Sequence, residues 1–158
     1  METKFETILK SLPYQKPFLF VDALTFISEE KVEGNYTFSP EEYFYKGHFK
    51  EMAVTPGVIL TECMAQIGVV CLGFYLLSET TSETTSENSL KNLQVALSNT
   101  NIDFLKPVYP GETVTVVSEK EYFRFNKLKC AVKMLNSKDE IICKGTISGM
   151  IKTSDDEE

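Results

Sequence analysis

Histidine and arginine are nearly missing from this 158-residue chain: His48 and Arg124 are the only ones, and tryptophan is absent. A single histidine excludes a histidine-rich zinc or copper site, and no metal is expected. A single arginine argues against phosphate recognition, and a net charge of -7 points away from nucleic acid and from anionic membrane surfaces. Cys63, Cys71, Cys130 and Cys143 show no C-x-x-C spacing and lie in apolar stretches. They read as reduced core thiols of a cytoplasmic protein. No G-x-G-x-x-G, P-loop lysine or G-x-S-x-G motif occurs, so nothing invites a dinucleotide, a nucleoside triphosphate or a serine-nucleophile elbow. The N-terminal Met-Glu-Thr-Lys-Phe-Glu lacks the basic-then-apolar layout of a secretory signal, so a cytoplasmic location is expected.

What is present suits a globular protein: 42% hydrophobic and 25% charged residues in a length typical of one domain. At that size roughly 70% of the unfolded surface can be buried without disulfides or metal. Residues 5–11 suggest a short helix closed by Leu12-Pro13. Phe18 to Phe26 and Val32 to Phe38 read as strands, the second with a bulge at Gly34-Asn35. Residues 39–55 read as a long structured loop. Thr55-Pro56 then opens the one long helix, with threonine as cap and proline at the first helical position. From Gly57 to Leu77 it is apolar on nearly every face, the mark of a helix enclosed by protein or lipid. The uncharged stretch Cys63 to Leu77 has 15 residues, short of a ~18–20-residue span, so enclosure by sheet is expected.

Residues 78–89 repeat a Thr-Ser-Glu unit and read as a polar flexible loop. Beyond it come about five strands: 93–97, 102–105, 112–123, 127–135 and 141–151, the last two joined by a turn at Asn136-Ser137-Lys138-Asp139. The expectation is α+β: one domain over residues 1–152, an antiparallel sheet wrapped around a central helix, and a disordered acidic tail over 153–158.

Two residues carry candidate chemistry. Glu62 lies two turns into the apolar helix, where a charged carboxylate must be paired, hydrogen-bonded or protonated, unless that face reaches solvent. Gln66, one turn on, is placed to hydrogen-bond either Glu62 or the backbone, and such a residue is more often structural. His48 sits beside Gly47, fourteen residues before Glu62. Alone, a loop histidine is more often a surface residue. One imidazole with one buried carboxylic acid, however, suffices to move a proton and a hydroxyl.

In order along the chain come Leu12-Pro13, Pro17-Phe18-Leu19, Val21-Asp22, Gly47-His48-Phe49, Pro56-Gly57-Val58, Glu62 with Met64-Ala65-Gln66, Phe104-Leu105-Lys106-Pro107-Val108 and Pro110-Gly111-Glu112. This series, spanning about residues 12–150, resembles the 3-hydroxyacyl-acyl-carrier-protein dehydratases of bacterial fatty-acid synthesis, which have the hot-dog fold. Glutamate rather than aspartate at position 62 resembles the dehydratase-only branch.

The resemblance implies catalysis by His48 and Glu62 from different subunits of a homodimer, with a trimer of dimers as an open further step. His48 would take the C2 proton of a 3-hydroxyacyl thioester and Glu62 would protonate the departing 3-hydroxyl, with a water's help. Phe49, Gly57, Val58 and Gln66 would line the substrate, and the acyl chain would lie in an apolar tunnel beside the helix. No cofactor is required. The acyl donor would be a carrier protein bearing a phosphopantetheine arm, docked on Lys46, Lys50 and Lys106. Two departures stand out. Lys50-Glu51-Met52-Ala53 replaces the family's Pro-Gly-x-Pro, and Tyr14 stands where Leu-Pro-His-Arg-Tyr-Pro-Phe has histidine. A hot-dog thioesterase and a non-catalytic acyl-binding subunit of a dehydratase heterodimer remain the alternatives.

Overall fold

The structure is a computed structural model, and it describes residues 1–80 and 93–153. A capping box at Thr3 and Glu6 starts α1 (Lys4–Ser11), which presents Ile8 to the core. Strands β1 (Ala23–Ile27) and β2 (Lys31–Thr37) form a hairpin, and a 3₁₀ turn occupies Tyr43–Lys46. The long rod is three segments end to end: α2 (Gly57–Ala65), a π-helical stretch (Gln66–Cys71) and α3 (Leu72–Thr80). Then follow β3 (Leu93–Phe104), β4 (Thr113–Arg124), β5 (Lys127–Leu135) and β6 (Ile141–Thr153). All the described strands join one antiparallel sheet in the order β1-β2-β4-β5-β6-β3. The sheet curls around the rod, so the α+β hot-dog architecture expected from the sequence is the one observed.

Enclosure explains why the rod is apolar all round. Cys63, Met64, Ile67, Cys71, Leu72 and Phe74 are all fully buried against the sheet, in one continuous core. The helical residues 57–79 are long and apolar enough to cross a membrane, so length does not exclude lipid as the sequence argument held; burial inside the sheet does. All four cysteines are free and buried.

Several local expectations are corrected. No strand runs from Phe18; β1 begins at Ala23 because side chains of the rod take the preceding backbone. Gln66 Oε1 accepts the Phe20 amide, Gln66 Nε2 donates to the Phe18 carbonyl, and Cys63 Sγ donates to the Phe20 carbonyl. The bulge lies in β1 between Leu24 and Phe26, not at Gly34. Gly34 serves close approach instead: an added Cβ would lie 2.8 Å from the Ala23 carbonyl oxygen and 2.9 Å from Ile67 Cγ2. The stretches 93–97 and 102–105 are one strand, β3, with an irregularity between Leu97 and Asn99, so among the described residues four strands follow the rod.

Pro56, not Thr55, is the N-cap of α2, and the Thr55 hydroxyl is instead 2.6 Å from the Tyr45 hydroxyl. Ser78–Thr80 complete α3 and Thr153 ends β6. The rest of the expected polar loop (81–89) and of the tail (154–158) lies outside the described residues.

The segment 39–55 is anchored by aromatics. Phe44 and Tyr45 are buried, Phe44 packs against Phe20 and Phe38, and the Tyr36 hydroxyl donates to Glu42 at 2.6 Å. That anchorage positions His48 ahead of the rod.

Candidate active site

His48 is held from both sides. Its amide donates to the Phe44 carbonyl, its carbonyl accepts from Val54, and its ring nitrogen Nδ1 lies 2.9 Å from the Val54 carbonyl oxygen. A carbonyl can only accept, so Nδ1 carries the hydrogen and Nε2 of the neutral ring keeps its lone pair. Phe49 stacks on the imidazole with ring centroids 4.2 Å apart, across a cis His48–Phe49 peptide bond. The ring is thereby held in place through Nδ1 and its face, with Nε2 the nitrogen that Val54 does not engage.

Glu62 is half-buried on the rod. Burial pushes its carboxyl above the ordinary glutamate range, and the hydrogen bond from Gln66 pulls the other way. Gln66 Nε2 donates to Glu62 Oε1 at 3.0 Å. Gln66, expected among the substrate contacts, is wholly buried; its amide is engaged with Glu62, Phe18 and Phe20. It ties the Glu62 carboxyl to the segment preceding β1.

Gly57 and Val58 open α2, where backbone amides lack intrahelical acceptors. Gly57 sits close under Phe104: an added Cβ would meet the ring at 3.1 Å. It lines a 360 Å³ cavity with Thr55, Leu60, Leu105 and Lys106. Val58 shares with Glu62 a second cavity of 530 Å³, walled also by Thr61, Leu97, Thr100 and Phe104. A narrower cavity of 180 Å³ joins Glu62 to Tyr14, Ala65, Val70, Ala96 and Gly149.

Neither cavity at Glu62 reaches His48. The structure thus brings His48 together with Phe49, and Glu62 with Gln66 and Val58, but leaves the two groups in separate neighbourhoods of one chain. Lys46 and Lys50 are exposed beside His48, whereas Lys106 is ion-paired with Glu140.

Two participants escaped sequence reasoning. The Val54 carbonyl, which sets the tautomer of His48, has no side-chain signature. Tyr14 stands out in the sequence only as a departure from a pattern; its phenol is pushed up to about 12, by burial first and then by the Glu62 charge.

With this geometry in view, comparison with known proteins assigns the class. A dehydratase heterocomplex from Xenorhabdus doucetiae matches with a TM-score of 0.71 over 94% of this chain and 92% of that one, at 12% identity. A thioesterase from Haemophilus influenzae matches at 0.58 over 83% and 78%, at 14% identity. Likeness at such identities is one of fold: the molecule is a hot-dog protein.

The FabA-like domain family matches residues 12–146. The chain is 32% identical over 155 residues to a 3-hydroxyacyl-[acyl-carrier-protein] dehydratase of Sinorhizobium medicae, covering 96% of this chain and 91% of the relative. The corresponding enzyme of Ehrlichia canis is 28% identical over 98% of this chain and 99% of its own. The chain belongs to the FabA-like family, that of the 3-hydroxyacyl-[acyl-carrier-protein] dehydratases.

Proposed function

We propose that the protein is a lyase that dehydrates 3-hydroxyacyl thioesters on acyl carrier protein to trans-2-enoyl thioesters, in fatty-acid or related polyketide or polyene synthesis. The observation that carries this reading is the setting in which the fold leaves its two key side chains, an imidazole anchored through Nδ1 and a half-buried carboxyl on the apolar rod. His48 presents Nε2 as a base, and burial favours the protonated form of Glu62.

The reaction balances on these two groups. Nε2 of His48 removes the C2 proton, and the C–H electrons form the C2–C3 double bond. The C3–O bond breaks as Glu62 delivers its proton, directly or through a water, and water departs. The imidazolium and carboxylate then return to their starting states by proton exchange with solvent. As the C2 proton leaves, negative charge develops on the thioester oxygen, where the free amides at Gly57 and Val58 supply hydrogen-bond donors. Phe49 keeps the imidazole in plane, and Gln66 is a positioning residue for the acid.

His48 and Glu62 meet across a homodimer in this reading. Support comes from β3, a 12-residue strand at the end of the sheet that carries Leu97 and Phe104, 55% and 51% exposed in the single chain, alongside Val58 of α2 at 78%. A second copy pairing along β3 covers that apolar surface and reaches the open cavity at Glu62. Residues 1–152 act as one domain. Carrier docking falls to Lys46 and Lys50, with Lys106 shared with Glu140.

The test is the reverse reaction. Purified protein is given a trans-2-enoyl thioester, and loss of enoyl absorbance and release of thiol are followed in parallel. Enoyl loss without thiol release, abolished in His48→Ala, is the expected result. Thiol release instead assigns the protein to the thioesterases, and silence in both channels favours the acyl-binding subunit.

A further inference from the structure

The two cavities at Glu62 differ in kind. Both include Glu62 and Leu97, so the carboxyl stands at their junction. The wider one involves Val58 and Thr61, upstream of Glu62 on α2 and near the amides assigned to the thioester. The narrower one follows the rod past Ala65 to Val69 and Val70, in the π-helical stretch beyond Glu62. Apart from Glu62 and the Tyr14 hydroxyl its side chains are apolar. A substrate with its thioester at Gly57 and C3 at Glu62 therefore directs C4 and beyond into the narrow cavity.

We propose that Tyr14 sets the acyl-chain length this protein accepts, by walling the narrow cavity past Glu62, with Gly149 supplying the room that remains. This rests on the dehydratase reading and adds a specificity determinant to it. An apolar cavity of ~150 Å³ takes a benzene-sized guest, so 180 Å³ holds roughly six to eight carbons. Counted from C4, the preferred acyl groups end near about C10. Gly149 sets the width because a Cβ there would lie 3.3 Å from both the Ala96 carbonyl oxygen and Val69 Cγ1, atoms of two residues lining the same cavity.

The experiment measures kcat/KM on trans-2-enoyl thioesters from C4 to C16, together with calorimetric affinities of unreactive acyl-pantetheine thioethers of the same lengths. Wild type is expected to lose at least about tenfold in kcat/KM between C10 and C16, the scale of pocket discrimination by methylenes. Tyr14→Ala should move the optimum to longer chains, and Gly149→Ala to shorter ones. Opposite shifts cannot come from general destabilisation. Tyr14→Phe, which keeps the ring, should retain the wild-type length limit.

An active enzyme whose length preference is the same in wild type and Tyr14→Ala overturns the inference and leaves the dehydratase reading intact. Thioether binding whose length preference moves in Tyr14→Ala, with no enoyl turnover, overturns the dehydratase reading and keeps the inference. Neither binding nor turnover at any length overturns both.

Discussion

Replacing Gln66 by leucine separates the roles argued for this side chain. The residue is fully buried, and leucine of similar volume fills its place without a large void. Three hydrogen bonds disappear: 2.8 Å from the Phe20 amide, 3.1 Å to the Phe18 carbonyl and 3.0 Å to Glu62. The Phe20 amide belongs to a wholly buried residue and is left orphaned, which costs about 1–3 kcal/mol. Phe18 is exposed and Glu62 half-buried, so their groups regain partners from water and lose only about 0.5 kcal/mol each. The sum is about 2–4 kcal/mol, or a Tm lower by about 5–15 °C for a chain this long.

A purely structural role would stop there. Because the Gln66 hydrogen bond holds the Glu62 carboxyl down against burial, its removal raises that carboxyl further. The basic limb of the pH–rate profile should therefore move to higher pH. Denaturant titration and Tm give the first number, and kcat/KM against pH gives the second. A stability loss below ~1 kcal/mol, or a basic limb that moves down, would refute the reasoning.

Further expectations follow from other contacts. Glu62 has a folded value above its ordinary 4.5, so the folded state binds the extra proton in the window between them. The stability tied to that proton is full below the ordinary value and lost as pH rises through the folded value. Glu62→Gln should therefore melt like wild type near about pH 4 and above it near about pH 8; the opposite ordering contradicts the sign. Gly34→Ala pushes a methyl against the Ala23 carbonyl and Ile67, and should cost about 1–3 kcal/mol by denaturant titration. Lys50→Glu should raise KM for a carrier-linked substrate without raising it for a small thioester, and Lys106→Glu, already ion-paired, should do so less. Equal effects of either change on both substrates remove that lysine from the docking surface.

The helix and sheet were legible from periodicity because burial writes a repeating pattern. The all-round apolar rod and the clean alternation of Thr113-Val114-Thr115-Val116 each named their element. The run Phe18 to Val21 misled because apolarity marks burial, not pairing; its backbone is taken by Gln66 and Cys63, contacts made 43 to 48 residues away in sequence. Thr55 looked like a cap by residue type, but Tyr45 takes its hydroxyl. His48 and Glu62 stand out through motif order. The atoms around them do not, because Val54 contributes only a backbone carbonyl and Tyr14 reaches Glu62 through a cavity that exists only once the segment after α1, the rod, β3 and β6 are packed.

The central claim is that His48 of one subunit and Glu62 of another make one dehydratase site, and mixed dimers test it most directly. His48→Ala and Glu62→Gln homodimers should each lose at least about a hundredfold in enoyl hydration, the scale of general acid–base catalysis. Co-expressed and purified as the heterodimer, the two variants rebuild one intact site, from His48 of the Glu62→Gln chain and Glu62 of the His48→Ala chain. The account predicts close to half the wild-type activity per dimer. A heterodimer as inactive as either parent would contradict it and place both residues of each site on one chain.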